Sequence, residues 1–448
     1  MNNLEKRYAE GRFDPEFGED GVVRWVKSDI DWFGLSATAI LLNKKMVAVI
    51  SNGDNSFSVA RINENGTLDA GFGREGYRKY SLRERHFVNV NSVSLVGEDG
   101  WLIFGSAYNP DANEQLLFVV RQDAEGNFVP GFGTEGVRYI DRNDVRLAED
   151  EREVVGIMPL SDSHDNGNSL QESPNACPAA INQQNGLIYL GTAIMYNDLS
   201  SQAAVLSLNA DGSTNTEFGG GRVLLNPANI IHANSNARQV VLQKDGKVLV
   251  SAAYNIEKKY SNFLMRLNSN GESDPVFNQG KAIDIDFTDA LSNVIHVSIH
   301  EGDGRIVAVG DVQSTKYSPD PQVPKALVIV LNSSGSFNQI FNKGKPLIDG
   351  FSKAGIILTR CAFQDSGSII VAGRGGPQFI DTSTVAIVAR YLPTGVFDEK
   401  FGRGSFVPFR KGDDEGEALV DMNLSDDGRI TICGRYVLEK SAWMVRYI

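Results

Sequence analysis

The hydrophobic pattern of the chain is a succession of short runs that are rich in β-branched and other apolar residues or that alternate apolar with polar residues. Between residues 238 and 287 it reads RQVVLQ, the turn KDG, KVLVSAA, NFLMRLN, the turn SNG and KAIDIDF. Runs of this length, bounded by Asp-Gly and Asn-Gly turns, predict four antiparallel strands in a meander. No segment has sustained helical periodicity. The pattern therefore predicts an all-β protein.

The same four-strand unit recurs seven times, and each copy carries one phenylalanine in a glycine-rich turn. The first copy reads GRFDPEFGEDG at residues 11–21, and the second reads GTLDAGFGREG at residues 66–76. The anchor phenylalanines are spaced by 55, 60, 86, 59, 64 and 60 residues, and they are Phe17, Phe72, Phe132, Phe218, Phe277, Phe341 and Phe401. Periods of this size are typical of solenoids, propellers and arrays. Because the repeat runs from residue 11 to the end, we expect residues 1–448 to form a single domain.

The two ends of the chain predict that the repeats close into a ring. Residues 443–448 have the pattern of a third strand with no fourth strand after it, and residues 11–26 that of a fourth strand with nothing before it. The N-terminal strand would complete the last blade in a three-plus-one closure. Seven four-stranded sheets around an axis form a seven-bladed β-propeller, which avoids long exposed sheet edges. We expect such a closed ring to be a monomer.

The repeated pattern G-x-[LF]-D-x-x-F-G-x-x-G resembles the delta-60 repeat family of bacterial β-propellers. Its seven copies cover nearly the whole chain. The resemblance implies a propeller, in a family largely without an assigned biochemical activity. The third copy departs from the pattern with Val129 where aspartate is usual, and copies four to seven have one residue fewer between the phenylalanine and the last glycine.

A correlation between two positions of the repeat predicts ion pairs across the turn between third and fourth strands. The predicted pairs are Arg61–Asp69, Arg266–Asp274, Arg390–Asp398 and, across the ring closure, Arg446–Asp14. Where a neutral residue replaces the arginine, the partner position is asparagine, as in Ser207 with Asn215; Arg121 opposite Val129 is the exception. A half-buried carboxylate without a partner is costly. We therefore interpret these residues as structural, together with the anchor phenylalanines, each of which would contribute about 1.5–3 kcal/mol by burial between blades.

The loops that do not repeat are the predicted place of function. In a propeller the second-to-third and fourth-to-first loops lie on one face, which we call the loop face, and the other turns lie on the opposite turn face. The turns are short and repetitive here, whereas the loops vary, and the 86-residue spacing places an insertion at residues 141–175, between blades two and three. Long irregular loops in compact folds are usually functional or disordered. We therefore expect a site on the loop face or at the axial mouth that it surrounds.

Aromatic, basic and histidine residues of the loop face are the candidates for binding. Several tyrosines come directly after a second strand, and a ring of them would suit a glycan or a peptide through stacking and hydrogen bonds. The alternative is that each tyrosine packs against the rim of its own blade. The candidate binding residues are Trp32, Phe33, Arg83, Arg85, His86, Tyr108, Tyr196, His232, Tyr254 and Tyr436.

Two groups on the same face could instead bind a metal ion. His86, His164 and His232 fall in successive fourth-to-first loops, but no short spacing fixes them together. Asp162, His164 and Asp165 lie in a polar stretch that lacks the ligand spacing of an EF-hand. We interpret both groups as solvated loop residues. The prediction is therefore no cofactor, with calcium or another divalent ion as the alternative.

Composition limits the partner and the compartment. The net charge is −13 and the pI is near 5.0, which argues against a nucleic-acid or anionic-membrane partner. Cys177, Cys361 and Cys433 have no CxxC spacing, so neither a disulfide framework nor a zinc module is indicated. No Sec-type signal peptide and no membrane-spanning run is visible. The expected compartment is the cytoplasm, with leaderless secretion left open.

The motifs favour binding over catalysis. There is no nucleophile elbow, P-loop, dinucleotide fingerprint or HExxH motif, so catalytic residues stay unassigned. The leading hypothesis is a non-enzymatic binding propeller that presents its variable loops to a protein or carbohydrate partner. One alternative is a propeller hydrolase or lactonase with a metal or carboxylates at the axial mouth, and another is a purely structural module.

Overall fold

Antiparallel strand pairing divides the chain into seven small sheets. The computed structural model describes residues 11–25, 31–83, 86–98, 100–111, 113–148, 150, 152–158, 179–226, 234–256, 259–287, 289–315, 323–349, 355–375, 384–402, 406–409, 416–436 and 441–448. In this part of the chain every sheet is antiparallel, and the sheets follow one another around an axis. The prediction of a seven-bladed β-propeller is confirmed.

The strands are short, as the turn spacing predicts. In chain order they are β1 (Val22–Trp25), β2 (Leu35–Ile40), β3 (Met46–Ser51), β4 (Ser56–Ile62), β5 (Tyr77–Ser81), β6 (Phe87–Leu95), β7 (Trp101–Asn109), β8 (Glu114–Gln122), β9 (Val137–Ile140), β10 (Val154–Met158), β11 (Ala179–Ile181), β12 (Ile188–Tyr196), β13 (Ser201–Leu208), β14 (Arg222–Leu224), β15 (Asn234–Leu242), β16 (Val248–Ile256), β17 (Lys259–Leu267), β18 (Ile283–Ile285), β19 (Ala290–Ile299), β20 (Ile306–Ser314), β21 (Lys325–Leu331), β22 (Leu347–Asp349), β23 (Ile356–Phe363), β24 (Ile369–Gly375), β25 (Val385–Tyr391), β26 (Val407–Phe409), β27 (Glu417–Leu424), β28 (Ile430–Tyr436) and β29 (Ser441–Tyr447). The described helices are α1 (Arg142–Val145) and the 3₁₀ turns Trp32–Gly34, Gly219–Gly221, Asn278–Gly280 and Phe341–Gly344.

Each blade uses four consecutive strands, with two exceptions. Blades one, two, four, five and six are β2–β5, β6–β9, β15–β18, β19–β22 and β23–β26. In blade three, β10 and β11 both pair with β12 and share the innermost place, and β13 and β14 follow outward. In blade seven, β27, β28 and β29 are completed by β1.

The predicted three-plus-one closure is confirmed by the pairing of the two chain ends. β1 lies antiparallel to β29, with Val22 opposite Val445 and Trp25 opposite Ala442. Beyond the strands, the N–H of Gly11 donates to the carbonyl oxygen of Ile448. The last blade is therefore held by backbone hydrogen bonds between residues at opposite ends of the sequence.

The anchor phenylalanines are buried where neighbouring blades meet. The ring of Phe72 in blade one lies against Gly126 in blade two, where a Cβ atom would come within 2.8 Å of Phe72 Cζ. The same relation joins Phe17 to Gly66, Phe132 to Gly212, Phe277 to Gly335, Phe341 to Gly395 and Phe401 to Gly11. The glycine in the turn of one repeat therefore makes room for the phenylalanine of the repeat before it.

Third-strand arginines lie over these rings and reach the next blade. Arg61 Nε is 2.6 Å from Asp69 Oδ2, and its Cζ is 4.8 Å from the centroid of the Phe72 ring. Its Nη1 donates to the Ala124 carbonyl of blade two at 2.9 Å. The other predicted pairs have nitrogen–oxygen distances of 2.6 Å for Arg266–Asp274, 2.8 Å for Arg390–Asp398 and 2.7 Å for Arg446–Asp14.

Gly126→Ala is expected to destabilise the protein more than Gly53→Ala, although both glycines have left-handed backbones. Their φ angles are +78° and +75°, so each alanine should cost about 1 kcal/mol for that conformation. Gly53 has open space around its Cβ position, whereas Gly126 would meet Tyr80 Oη at 2.6 Å as well as Phe72. Overpacking should therefore add about 1–3 kcal/mol at Gly126. Urea unfolding measures both losses, and equal losses would mean that this blade contact is not tightly packed.

Candidate functional site

The innermost strand of every blade contains a β-bulge. The bulges fall between Leu35 and Ala37 in β2, Val90 and Ser92 in β6, Val154 and Gly156 in β10, Ala237 and Gln239 in β15, Val294 and His296 in β19, Leu358 and Arg360 in β23, and Leu419 and Asp421 in β27. A bulge re-aims the side chains beside it. In blades four to seven the residue after the bulge is polar or charged, so polar groups gather along the innermost strands.

Each of these polar residues contacts the innermost strand of the next blade. Gln239 Nε2 donates to the Val297 carbonyl at 2.9 Å, and His296 Nδ1 lies 3.3 Å from Cys361 Sγ. Arg360 Nε donates to Asp421 Oδ1, and Asp421 Oδ2 accepts a hydrogen bond from the N–H of Thr38 in blade one. We call this series the axial chain; its members are Gln239, His296, Arg360, Asp421 and Thr38.

A buried ion pair forms the centre of the axial chain. Arg360 Nε is 2.9 Å from Asp421 Oδ1, and its Nη1 and Nη2 donate to the carbonyl oxygens of Thr359 and Val420 at 2.7 and 2.6 Å. Asp421 Oδ2 accepts hydrogen bonds from the backbone N–H and the hydroxyl of Thr38 at 3.0 and 3.1 Å. Arg360 is only 4% exposed. Both charged groups are therefore fully occupied by contacts within the protein.

The cysteines and the histidine beside this pair are held in their neutral forms. Burial, together with the charge of Arg360, lowers the pKa of His296 to about 3. Burial also raises the pKa of Cys361 far above its usual value and that of Cys433 to about 12. A nucleophilic cysteine needs a lowered pKa. The His296–Cys361 contact therefore has the opposite electrostatics from those of an activated thiol.

A second polar group lies beside the axial chain in blades four and five. Arg238 Nη1 donates to Asn293 Oδ1 and, at 3.3 Å, to the Val294 carbonyl. Burial raises the pKa of Asp311 to about 6, although a hydrogen bond with Asn293 and the charges of Arg374 and Arg238 act in the opposite direction. Among the residues that the structure describes, no group of three or more His, Cys, Asp or Glu side chains is arranged to hold a metal ion.

An open cavity of about 1460 Å³ lies on the turn face at blades five to seven. We call it the turn-face cavity. Its apolar lining includes Ile299, Phe363 and Leu424, which end β19, β23 and β27, and all three are half-buried. Carboxylates of the first-to-second-strand turns surround them. A second cavity of about 550 Å³ shares residues 298–301 and extends toward blade four.

The sequence did not indicate this cavity, because the expectation was a site among the variable loops. Its lining comes from turns that look like repetitive scaffold. One signal was present: Asp365 and Asp426 are exposed carboxylates in successive first-to-second-strand turns, next to strands that end in large apolar residues.

Four of the predicted binding residues have buried rings. They are Trp32, Tyr196, Tyr254 and Tyr436. Trp32 stacks on Trp25 with ring centroids 4.5 Å apart, and Arg152 Cζ lies 3.5 Å from the centroid of Tyr196. These rings pack within the protein, which agrees with the alternative that the aromatic residues pack against their own blades. A binding role for them stays a prediction.

Blade two, in contrast, exposes aromatic side chains on the loop face. Tyr108 is 39% exposed and lies opposite Phe87, which is 56% exposed and was not among the predicted residues. Asn89, two residues further along β6, is also exposed and lies on the same side of the sheet. We call Phe87, Asn89 and Tyr108 the blade-two patch.

Two further predicted residues lie in the same part of the loop face. His86 is buried, and its Nε2 is 3.2 Å from Glu114 Oε2, so the interpretation of this histidine as a solvated loop residue is wrong. Arg83 is exposed, and its Cζ is 4.6 Å from the centroid of Tyr139. The structure therefore places Arg83, His86 and Tyr108 within blade two and the loop that leads into it.

The remaining predicted residues lie outside the described part of the chain. They are Arg85, Asp162, His164, Asp165, His232 and the side chain of Phe33. Of the predicted insertion at residues 141–175, the structure describes 141–148, 150 and 152–158. Asp141 caps α1 there, and β10 ends with Met158 opposite Ala193 of β12. Ala179, where β11 begins, lies opposite Leu190 of the same strand.

Comparison with known proteins finds a partial match to a β-propeller repeat family, over three segments of the chain. The family model described as "Domain of unknown function (DUF5122) beta-propeller" matches residues 47–72, 243–277 and 364–401. No curated protein matches the sequence. In the described part of the chain, no helix has both the length and the apolar character needed to cross a bilayer.

Among solved structures, the chain is similar to a polysaccharide lyase of family PL25, an ulvan lyase. The TM-score is 0.53 at 9% identity, and the match covers 98% of this chain and 95% of the lyase chain. An ulvan lyase structure bound to -[GlcA(1-4)Rha3S]- gives a TM-score of 0.51 at 8% identity, covering 93% and 95% of the two chains. At such low identity the likeness shows the fold alone.

Proposed function

We propose that this protein is a non-enzymatic binding propeller of the delta-60 repeat type, which holds a protein or carbohydrate partner on its loop face. The observation that carries the proposal is the exposed pair of Phe87 and Tyr108 on neighbouring strands of blade two. We also propose that the protein is a monomer and that it needs no cofactor.

The blade-two patch has the composition of a recognition surface. Large aromatic side chains dominate the energetics of many interfaces, and each can bury about 150–250 Å². Strands of a closed propeller hold them in place, so little conformational entropy would be lost on binding. Asn89 adds a hydrogen-bonding amide beside the rings. Stacking combined with an amide contact suits a sugar ring or an extended peptide.

The structural likeness to the ulvan lyase supports a carbohydrate as the partner. The ulvan lyase that shares this fold has been solved bound to -[GlcA(1-4)Rha3S]-. A ring of β-sheets of this kind can therefore carry a saccharide site, although the lyase chemistry belongs to that protein.

Electrostatics at the Arg360–Asp421 ion pair and at Cys361 favour binding over the hydrolase or lactonase alternative. Such an enzyme would use a free carboxylate, an activated nucleophile or a metal at the axial mouth. Here Asp421 is bound to Arg360 and Thr38, and the thiol of Cys361 is kept neutral by burial. These groups serve the packing of the ring.

The double variant Phe87→Ala/Tyr108→Ala is expected to lose binding by at least about tenfold, because interface aromatics carry most of the binding free energy. Glycan and peptide arrays would identify the ligand, and titration calorimetry would measure its affinity. Tyr260→Ala is the matched control, since Tyr260 is 43% exposed and is the second residue of the third strand of blade four, on the same face. Unchanged binding by the double variant, or an equal loss in the control, would remove the patch from the proposal.

A further inference from the structure

We infer that the turn-face cavity binds a cationic, partly apolar peptide segment of a partner protein. This surface lies opposite the loop face, so the inference is independent of the blade-two patch. It rests on the shape of the cavity, on its apolar lining and on the charges around it.

The apolar lining is supplied by the ends of the innermost strands. Ile299, Phe363 and Leu424 are half-buried, and Met422 adds a flexible side chain beside them. Aliphatic and thioether groups of this kind adapt to varied apolar side chains. They offer a peptide side chain an apolar surface that would be removed from water on binding.

The rim of the cavity is acidic. Glu301, Asp365, Asp426 and Asp427 are exposed on the turns above the apolar lining. Asp365 and Asp426 make no ion pair with any residue that the structure describes. Both are therefore available to a ligand without the loss of an existing contact.

Cations also line the cavity, but most of them are already paired. Arg390 is bound to Asp398 at 2.8 Å, and Arg429 Nη1 lies 3.3 Å from Asp427. Among the lining residues that the structure describes, Lys400 is the remaining lysine or arginine. Once the paired groups are set aside, Asp365, Asp426 and Lys400 remain in the described lining, and Glu301 shares an exposed ion pair with Lys244 at 2.8 Å. Exposed pairs of this kind are weak, so the rim attracts positive charge.

The second cavity continues the first along the turn face, so the two together favour an extended ligand. It begins at residues 298–301, which both cavities share, and it is bordered by Val276, which is 64% exposed on the turn of blade four. A segment lying across blades seven to four would meet apolar groups at both ends and carboxylates between them. Lys247 and Arg266 also line the second cavity, and both are paired with Asp274, at 3.0 and 2.6 Å. Charge complementarity of this type selects partners and speeds association. An acidic glycan would be repelled by the same rim.

Fluorescence polarisation with a labelled short peptide that alternates lysine and leucine tests the inference. The protein should bind this peptide and not the counterpart with glutamate in place of lysine. Asp365→Asn/Asp426→Asn should weaken binding about tenfold and reduce its salt dependence. Glu135→Gln/Glu217→Gln makes the same change in net charge at exposed turn-face positions of blades two and three, and it should leave the affinity unchanged.

Each alternative outcome would overturn the inference. Equal binding of the two peptides would show that the rim does not select charge. Equal weakening in both double variants would show attraction to the net charge of the protein and not to the cavity. Displacement of the peptide by a neutral glycan, with no effect of Asp365→Asn/Asp426→Asn, would assign the cavity to carbohydrate. Thermal unfolding of every variant establishes that the fold is intact, and Phe87→Ala/Tyr108→Ala should bind the lysine peptide normally.

Discussion

Replacement of Asp421 by alanine is expected to lower the free energy of unfolding by about 3–5 kcal/mol, because the substitution removes a carboxylate that is paired with a buried arginine. Arg360 is 4% exposed, so its guanidinium would be left largely desolvated. Thr38 would also lose the acceptor for its backbone N–H and its hydroxyl. Urea unfolding followed by tryptophan fluorescence measures the loss.

Two further substitutions separate charge from packing in the same place. Asp421→Asn keeps an oxygen acceptor for Thr38 but removes the charge, so its loss should be smaller than that of alanine. Arg360→Met/Asp421→Leu replaces both charges by apolar groups and should recover most of the stability. Replacing a buried ion pair by apolar residues of similar volume is often neutral or stabilising. A loss below about 1 kcal/mol for Asp421→Ala would show that water reaches the ion pair.

The architecture could be predicted because every repeat has the same turn residues and the same anchor phenylalanine. Asp-Gly and Asn-Gly turns set the strand ends, and the anchor phenylalanine marks each blade boundary. What the repeat did not reveal is the partner of that phenylalanine. Phe72 packs on Gly126, a residue that looks like an ordinary turn glycine until the two blades are placed side by side.

The axial chain shows where sequence reasoning stopped short, although a signal was present. Gln239, His296, Arg360 and Asp421 occupy the same position relative to the end of the innermost strand in four successive repeats. Polar residues there interrupt otherwise apolar runs. Their pairing could not be predicted, because Asp421 and Thr38 are 383 residues apart and meet only when the ring closes. The bulges that aim these side chains have no sequence signature here.

The candidate sites were predicted less well than the fold, for a physical reason. Tyr108 and Tyr196 follow their second strands in the same way, yet one ring is 39% exposed and the other is 2% exposed. Tyr196 packs in an apolar cluster with Val154 and is also covered by Arg152, and both of these residues come from a segment that does not repeat. Phe87 was missed because an apolar residue at the start of an innermost strand reads as core. The exposure of an aromatic side chain depends on the loops beside it, so it cannot be predicted from the sequence of a single repeat.

Removal of residues 1–25 is expected to abolish cooperative folding of the ring. The truncation deletes β1, so β29 becomes an exposed edge that can pair with another chain. It also removes the buried Phe17 and takes Asp14 away from Arg446, which is 7% exposed. Size-exclusion chromatography and thermal unfolding should show association and no sharp transition. A truncated monomer with the transition of the full chain would mean that the closure contributes little.

A matched pair of substitutions tests closure without removing a strand. Arg446–Asp14 and Arg266–Asp274 have nearly the same geometry, with nitrogen–oxygen distances of 2.7 and 2.6 Å and arginine-to-ring distances of 4.6 and 4.7 Å. Asp14→Asn and Asp274→Asn should therefore remove similar local interactions. Only Asp14→Asn breaks a contact between the two chain ends, so it alone should lower hydrogen-exchange protection along β1 and β29. Equal protection in both variants would mean that backbone pairing closes the ring and that the ion pair is local.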